Sequence, residues 1–465
     1  MKLFALALTA AVSMAAADAD KAANLPDAPA WATATYSGYL KATETKSLHY
    51  VFAESQTSPE SDPLIIWFNG GPGCSSMLGL MQENGPVVVD DGEDYFKTNP
   101  YPWNVRANVL YIESPAGVGW SVAGTAQDLY TNDMVQSQDA INALRDWFVK
   151  FPEFLPNELY VSGESYGGIY VPYLAWQIYQ NNLQAKFDES LPSINLGGTM
   201  VGNGATNWSY DVWPSFPATL ANFQIMPQNL LQQWEDAECA AYFHNVRPAT
   251  KTPECEALAL QMNDYSGKLN WYDLYRKNYD LPASADRMGT TIIDGQERTY
   301  KRGMTMAEYT PFATHILDSE TAHVRNGDFL TDYMNREDVR AAFNIPADVQ
   351  TWEMCSETLQ YQVQDEASQW IYEVLKGKTR LMFYSGDTDG AITTYGTKQW
   401  MKSLGWPISD AWRPWFTNGQ VSGYTETYDS ALQFVTVKGV GHMAPQWARQ
   451  PVTDMISAFV HHEDF

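Results

Sequence analysis

The stretch Leu159-Tyr160-Val161-Ser162-Gly163-Glu164-Ser165-Tyr166-Gly167 decides the fold. Leu159 to Val161 is a short apolar run that reads as a buried strand, and a helix-compatible segment opens just after Ser165. Between them Gly163, Ser165 and Gly167 give a G-x-S-x-G pattern, which in a strand-to-helix context is a nucleophile elbow. Such a turn holds its serine in a strained conformation. Glycines two residues to either side let the backbone pass its neighbours without a Cβ clash.

A serine presented this way needs an acid and then a histidine further along the chain. Leu381 to Tyr384 reads as a strand that runs into Ser385-Gly386-Asp387-Thr388-Asp389-Gly390, so two carboxylates sit on a turn at a strand end. Spacing alone leaves Asp387 and Asp389 both open. Phe434 to Val437 leads into Gly439-Val440-Gly441-His442-Met443-Ala444-Pro445, and a histidine on a glycine-rich loop suits a base better than a packing residue. Of the other histidines, His49, His244, His315 and His323 lack such a context, and His461 and His462 sit at the tail. Further strand-like runs lie at Pro63 to Phe68 and Val109 to Ile112. Asp133 to Phe148 carries helical spacing at Met134, Ile141, Leu144, Trp147 and Phe148. Strands alternating with helices predict an α/β class with the α/β-hydrolase fold, a mostly parallel central sheet flanked by helices. From about Ala205 to Thr351 the alternation stops. The expected organisation is a core of residues 18–204 and 352–465, with 205–351 as a helical and mixed cap inserted over the carboxyl ends of the strands.

Bulk properties agree with a large secreted body. Lys2, the apolar run Leu3 to Met14 and the small residues Ala15 to Ala17 form a signal peptide over 1–17, with Asp18 the expected mature start. That run is too short to span a bilayer, and no later one is long enough. A chain of 465 residues that is 45% hydrophobic, with 17 Trp, has ample material for a core. Asp and Glu number 55 against 29 Lys and Arg, and 55 − 29 gives the net charge of −26. Nucleic acid is excluded as a partner, because a polyanion needs a basic surface. The four cysteines, Cys74, Cys239, Cys255 and Cys355, predict two disulfides in an oxidising compartment, with three pairings open. With no CxxC, a zinc site is not expected. Asn207-Trp208-Ser209 is a glycosylation sequon.

The roles follow from acyl-transfer chemistry. A serine hydroxyl becomes nucleophilic when His442 takes its proton, and a carboxylate fixes the imidazole tautomer and steadies its charged form. The resulting oxyanion needs preorganised N–H donors. Tyr166 N–H adjoins the nucleophile. The second donor is expected on Asn69-Gly70-Gly71-Pro72-Gly73, which follows a strand but lacks both the GxGxxG spacing and the P-loop lysine of a nucleotide site. No cofactor is expected.

Five ordered segments resemble the serine carboxypeptidase family: Trp67-Phe68-Asn69-Gly70-Gly71-Pro72-Gly73-Cys74-Ser75-Ser76, Glu113-Ser114-Pro115-Ala116-Gly117-Val118-Gly119, Gly163-Glu164-Ser165-Tyr166-Gly167-Gly168, Gly386-Asp387-Thr388-Asp389 and Gly441-His442-Met443. The likeness runs from about Ala30 to the end. It implies Ser165, Asp389 and His442 as the triad, Asp387 as a turn residue, and Gly71 N–H as the partner of Tyr166 in the oxyanion hole. It also implies recognition of a substrate's C-terminal carboxylate by Trp67, Asn69, Gly70, Glu83 and Glu164, and a pocket for the departing residue at Met443. An apolar Met there suggests hydrophobic departing residues over basic ones. The disulfides it implies are Cys74–Cys355 and Cys239–Cys255. Ile392 stands where some members carry a thiol, so sensitivity to thiol reagents is not carried over.

The implied partner is a peptide or protein with a free C-terminus, and the implied location is the secretory pathway, with a lysosome, vacuole or extracellular end point. Monomer and homodimer are both compatible with the sequence. Two carboxyls held together cannot both ionise cheaply, so Glu83 and Glu164 predict an acidic optimum. Two other readings compete. An acyltransferase of the same fold keeps the triad, but such relatives often lose the carboxylate-binding acids. A non-catalytic protective protein would not require the triad. A lipase leaves Glu83 and Asn69 without a task.

Overall fold

The computed structural model describes residues 17–242, 252–267, 269–276, 288–293, 296–301 and 327–465. Residues 1–16 of the expected signal peptide, and much of the expected cap, lie outside the described residues. Ten strands build the main sheet: β1 (Thr35–Lys41), β2 (Lys46–Ala53), β3 (Leu64–Phe68), β4 (Asn108–Ile112), β5 (Leu159–Ser165), β6 (Leu196–Gly204), β7 (Arg380–Gly386), β8 (Ile408–Thr417), β9 (Gln420–Tyr428) and β10 (Leu432–Val437). Their order is β1-β2-β4-β3-β5-β6-β7-β10-β9-β8, and the short Val122–Ala123 adds an eleventh strand beside β2. The centre, β4 to β10 in that order, is parallel, and both wings are antiparallel. This is the α/β-hydrolase arrangement expected from the elbow.

Central strands buried on both faces read as unbroken apolar runs, and β3 (LIIWF) and β4 (NVLYI) are buried at every position. Alternate side chains feed opposite layers. Leu64, Ile66 and Phe68 join one core and Ile65 and Trp67 the other. The first core is shared with α1 (Asp133–Lys150) and α2 (Gly167–Ala185), while the C-terminal helix Arg449–Val460 packs on the second. Asn132 caps α1 by accepting Val135 N–H at 3.0 Å. Among the described residues no helix is long and apolar enough to cross a membrane.

Strand β6 (LGGTMVGNG) was absent from the sequence reading because its glycines break the apolar run. They are needed there. A Cβ at Gly202 would lie 2.3 Å from the Tyr384 ring carbon Cζ, so the strand makes room for its neighbour's aromatic. The hairpin between β8 and β9 turns on Asn418 and Gly419, whose φ values of 51° and 73° match a two-residue primed turn.

In the described part of 205–351, three helices, α3 (Phe216–Asn222), α4 (Gln228–Asp236) and α5 (Pro253–Ser266), share their own apolar cluster with the Cys239–Cys255 disulfide. The second disulfide is Cys74–Cys355. Beside it Ser75 N–H donates to Met354 at 2.8 Å and Ser356 N–H to Gly73 at 2.9 Å. The glycine loop after β3 is thus clamped from outside.

Candidate active site

Ser165 ends β5 with φ of +61°, a left-handed conformation uncommon for a residue with a Cβ, and the tight turn into α2 imposes it. Its side chain is fully buried, and Oγ makes no hydrogen bond among the described residues. The loop after β3 lies directly on this turn: a Cβ at Gly70 would sit 2.3 Å from Tyr166 N and 2.7 Å from Ser165 Cβ. Only glycine fits at that approach, which brings the neighbouring Gly71, with φ of +110°, toward the elbow. Tyr166 stands at the N-terminus of α2, where backbone N–H groups and the helix dipole favour negative charge.

Beyond β7 and β10 the loops bring Asp389 and His442 together, with His442 Nδ1 2.7 Å from Asp389 Oδ2. Asp389 Oδ2 also accepts Asn203 Nδ2–H at 2.9 Å, and Oδ1 accepts Ala391 N–H at 2.7 Å. Burial pushes this carboxyl up, and the neighbouring imidazole and these donors pull it back. Asp387 plays a different part. Its Oδ1 accepts Gly439 N–H at 2.6 Å, tying the two loops together, as expected of a turn residue.

The sequence reading missed two supports of this pair. Asn203, at φ of +38° near the end of β6, accepts Gly386 N–H at 2.9 Å while donating to Asp389. Its only local signal is an asparagine between two glycines at a strand end. Tyr272, in the segment expected to belong to the cap, accepts His442 N–H at its carbonyl at 2.7 Å and sets its ring edge-on to the imidazole at 4.7 Å. Leu274 N–H donates to Thr388 and Gly390 N–H donates to Trp271, so the same segment holds the acid loop.

A second constellation lies beside the elbow. Asn69 Oδ1 accepts Trp67 Nε1–H and Gly79 N–H, both at 2.8 Å. With its oxygen so committed, the amide nitrogen must face the other way. There Nδ2 donates to Glu83 Oε1 and Glu164 Oε1, both at 3.0 Å. Both acids are about 2% exposed. Burial pushes the Glu83 carboxyl above its ordinary range; hydrogen bonds from Asn69 and Glu164 and the charge of Arg449 pull it partly back. Glu83 closes a single π-helical turn, Gly79–Glu83, a distortion that recurs at functional sites. Arg449 fastens that turn, donating to the carbonyls of Gln82 at 2.7 Å and Glu83 at 3.3 Å. Met443 meets Gln82, Glu83, Glu164, Asn69 and Met354 around a cavity of about 20 Å³. Asn69, Glu83, Glu164 and Met443 thus line one cavity, with Trp67 bonded to Asn69.

Over residues 26–462 the sequence matches the serine carboxypeptidase family. The chain belongs to the serine carboxypeptidase family. It is 33% identical to the mouse (Mus musculus) lysosomal protective protein over 92% of this chain and 91% of that one. To serine carboxypeptidase 1 of Hordeum vulgare it is 32% identical, over 89% of this chain and 87% of the other. A solved prohormone-processing carboxypeptidase from Saccharomyces cerevisiae shares the fold, with a TM-score of 0.70, 20% identity and 96% coverage of both chains.

Two further residues considered in the sequence have other partners. His49 is buried, with Nε2 2.9 Å from Ser37 Oγ and Nδ1 2.9 Å from Glu113 Oε2, so it is a satisfied core histidine. Asn207, the sequon residue, is half-buried, and its Nδ2 donates to Gln369 Oε1. A glycan there requires Gln369 to yield its contact.

Proposed function

We propose that this serine carboxypeptidase releases single residues from the C-termini of peptides and proteins, with an acidic optimum. One observation carries the reading: two buried carboxyls share the Asn69 amide beside the nucleophile elbow. Held this close, the pair keeps a proton at a pH where an isolated glutamate has lost it. A protonated carboxyl and the Asn69 amide then both donate to a substrate carboxylate. An endopeptidase or lipase has no use for such a group.

In the proposed mechanism His442 Nε2 takes the Ser165 proton as Oγ attacks the carbonyl of the last peptide bond. Asp389 holds the other imidazole N–H, and Gly71 and Tyr166 N–H receive the oxyanion. Collapse breaks the C–N bond, and His442 returns its proton to the departing amine. Water, deprotonated in turn by His442, hydrolyses the acyl-enzyme and restores Ser165. We take residues 205–351 as a cap over this site; the hydrogen bonds from Trp271 to Leu274 onto the acid and histidine loops support it. Its two disulfides and acidic optimum suit a lysosome, vacuole or extracellular fluid, reached through a signal peptide over 1–17.

The sign of the pH effect follows from the raised Glu83. As pH climbs through the pair's upper ionisation, the donor proton leaves and two carboxylates repel the substrate's own. Cleavage of a peptide with a free C-terminus should therefore fall toward neutral pH, while an otherwise identical C-terminal amide declines less. Measuring kcat/KM for both from pH 4 to pH 8 tests this, and parallel curves would refute it.

A further inference from the structure

The N–H groups proposed to receive the oxyanion belong to Gly71 and Tyr166, and both lead back to one buried acid outside the triad and the carboxylate cluster. Asp133, the first residue of α1, is fully buried. Its Oδ1 accepts the hydroxyls of Tyr166 and Tyr361, both at 2.8 Å, and its Oδ2 accepts Gln364 N–H at 3.3 Å. Burial pushes the carboxyl up, and these three donors pull it back. Tyr361 reaches it from the short strand Gln360–Gln362, which pairs in parallel with Tyr130–Asn132 just before α1. The rings of Tyr166 and Tyr361 meet edge to face at 5.4 Å. Tyr170, one turn further along α2, packs its ring 5.3 Å from Tyr166 and 6.2 Å from Tyr361. The Tyr170 hydroxyl in turn accepts Gly73 N–H at 3.2 Å. One carboxyl thus fixes the side chain of the residue after the nucleophile. Through the rings packed on Tyr170 it also steadies the glycine loop that carries Gly71.

We propose that Asp133 is a positioning residue for the oxyanion hole. This rests on the acyl-transfer mechanism above, in which Ser165 attacks and Gly71 and Tyr166 N–H receive the charge. Ser165 holds a left-handed φ of +61°, and a strained turn of this kind persists only where its surroundings hold it. Relaxation of the turn would carry Tyr166 and its N–H with it, and a ring anchored at its far end by Asp133 opposes that movement. An oxyanion hole works because its donors are aimed before charge develops. A loosened donor therefore weakens transition-state binding and leaves ground-state binding nearly intact. Phenylalanines in place of the tyrosines would fill the same space without burying an acid, whose desolvation is unfavourable. What the acid adds is a fixed direction for two rings.

The test reads hydrolysis of an N-blocked amino-acid ester, which needs the triad and the oxyanion hole but no free carboxylate. Inhibition by the matching N-blocked amino-boronic acid is measured beside it, since the boronate forms a tetrahedral adduct on Ser165 that mimics the transition state. In Asp133→Ala, kcat for the ester should fall about 10²-fold with KM within about twofold of the native value, and boronate affinity should fall by a similar factor. Asp133→Asn keeps an acceptor for both tyrosine hydroxyls and should recover most of the loss. Tyr166→Phe removes one of the two bonds and keeps the ring, so its smaller loss should not add to that of Asp133→Ala in the double variant. Should Asp133→Ala misfold, Tyr166→Phe combined with Tyr361→Phe strips the same two bonds without opening a cavity and carries the same reading. A fall in kcat with unchanged boronate affinity, or a double-variant loss equal to the product of the single losses, overturns the assignment. Native ester hydrolysis without release of C-terminal residues overturns the carboxypeptidase reading and leaves this inference standing. Absence of native ester hydrolysis overturns the acyl-transfer mechanism and this inference with it.

Discussion

Asp389 and Glu83 are both buried acids within the same site, and burial pushes both carboxyls up, yet their surroundings differ in kind. Asp389 receives N–H groups from Asn203 and Ala391 and faces the imidazole of His442. Glu83 shares a single amide with a second acid. The first setting rewards negative charge, which an imidazolium requires beside it. The second favours a proton, which the proposed binding of a substrate carboxylate requires. Donors per carboxyl, rather than depth of burial, separate the two tasks.

The sharpest way to break that comparison is to remove the charge at Asp389. Asp389→Asn presents an amide to His442 and favours the wrong imidazole tautomer, so kcat should fall about 10⁴-fold while KM changes little. Removing one donor to the acid should cost less. Asn203→Ala leaves the charge but loosens its placement, and kcat should fall by up to about 10²-fold, since small displacements of a reacting group weigh this much. A structural collapse would lower stability together with activity, so a native-like melting temperature with reduced kcat is the expected pair of results. At the other acid, Glu83→Gln installs a permanent donor. Its peptide cleavage should lose the decline toward neutral pH and follow the C-terminal amide curve. A wild-type decline in that variant would place the titrating proton elsewhere.

What could be read from the chain beforehand follows the same division. The elbow, the strands β3, β4, β7 and β10, and the helix α1 were legible because each is a local pattern: an apolar run, a glycine turn or a helical stripe. Strand β6 was not, since its function in the sheet is to be small beside Tyr160 and Tyr384. Asn203 lies 186 residues from Asp389, and nothing near it in sequence announces that contact. The same holds for Tyr272, whose carbonyl is what matters and whose side-chain identity gives no hint of it. The choice of Asp389 over Asp387 came from family likeness. The described geometry is consistent with it, because Asp389 faces His442 and Asp387 faces Gly439.

A third buried acid sharpens the comparison at the smallest expected effect. Asp211, fully buried in the loop after β6, accepts the N–H groups of Thr206 and Asn207 at 2.7 and 2.8 Å, yet burial still pushes it up to about 7. A carboxyl raised in the folded state stabilises the fold fully below its unfolded value near 3.9, and that contribution is lost as pH rises to about 7. A rise of this size corresponds to about 4 kcal/mol as an upper figure. The melting temperature of the native protein should thus drop between pH 4 and pH 8. Asp211→Asn keeps an acceptor oxygen for the two N–H groups and cannot ionise, so its drop should be smaller by a few degrees. Equal drops in both proteins would mean that Asp211 ionises as easily folded as unfolded.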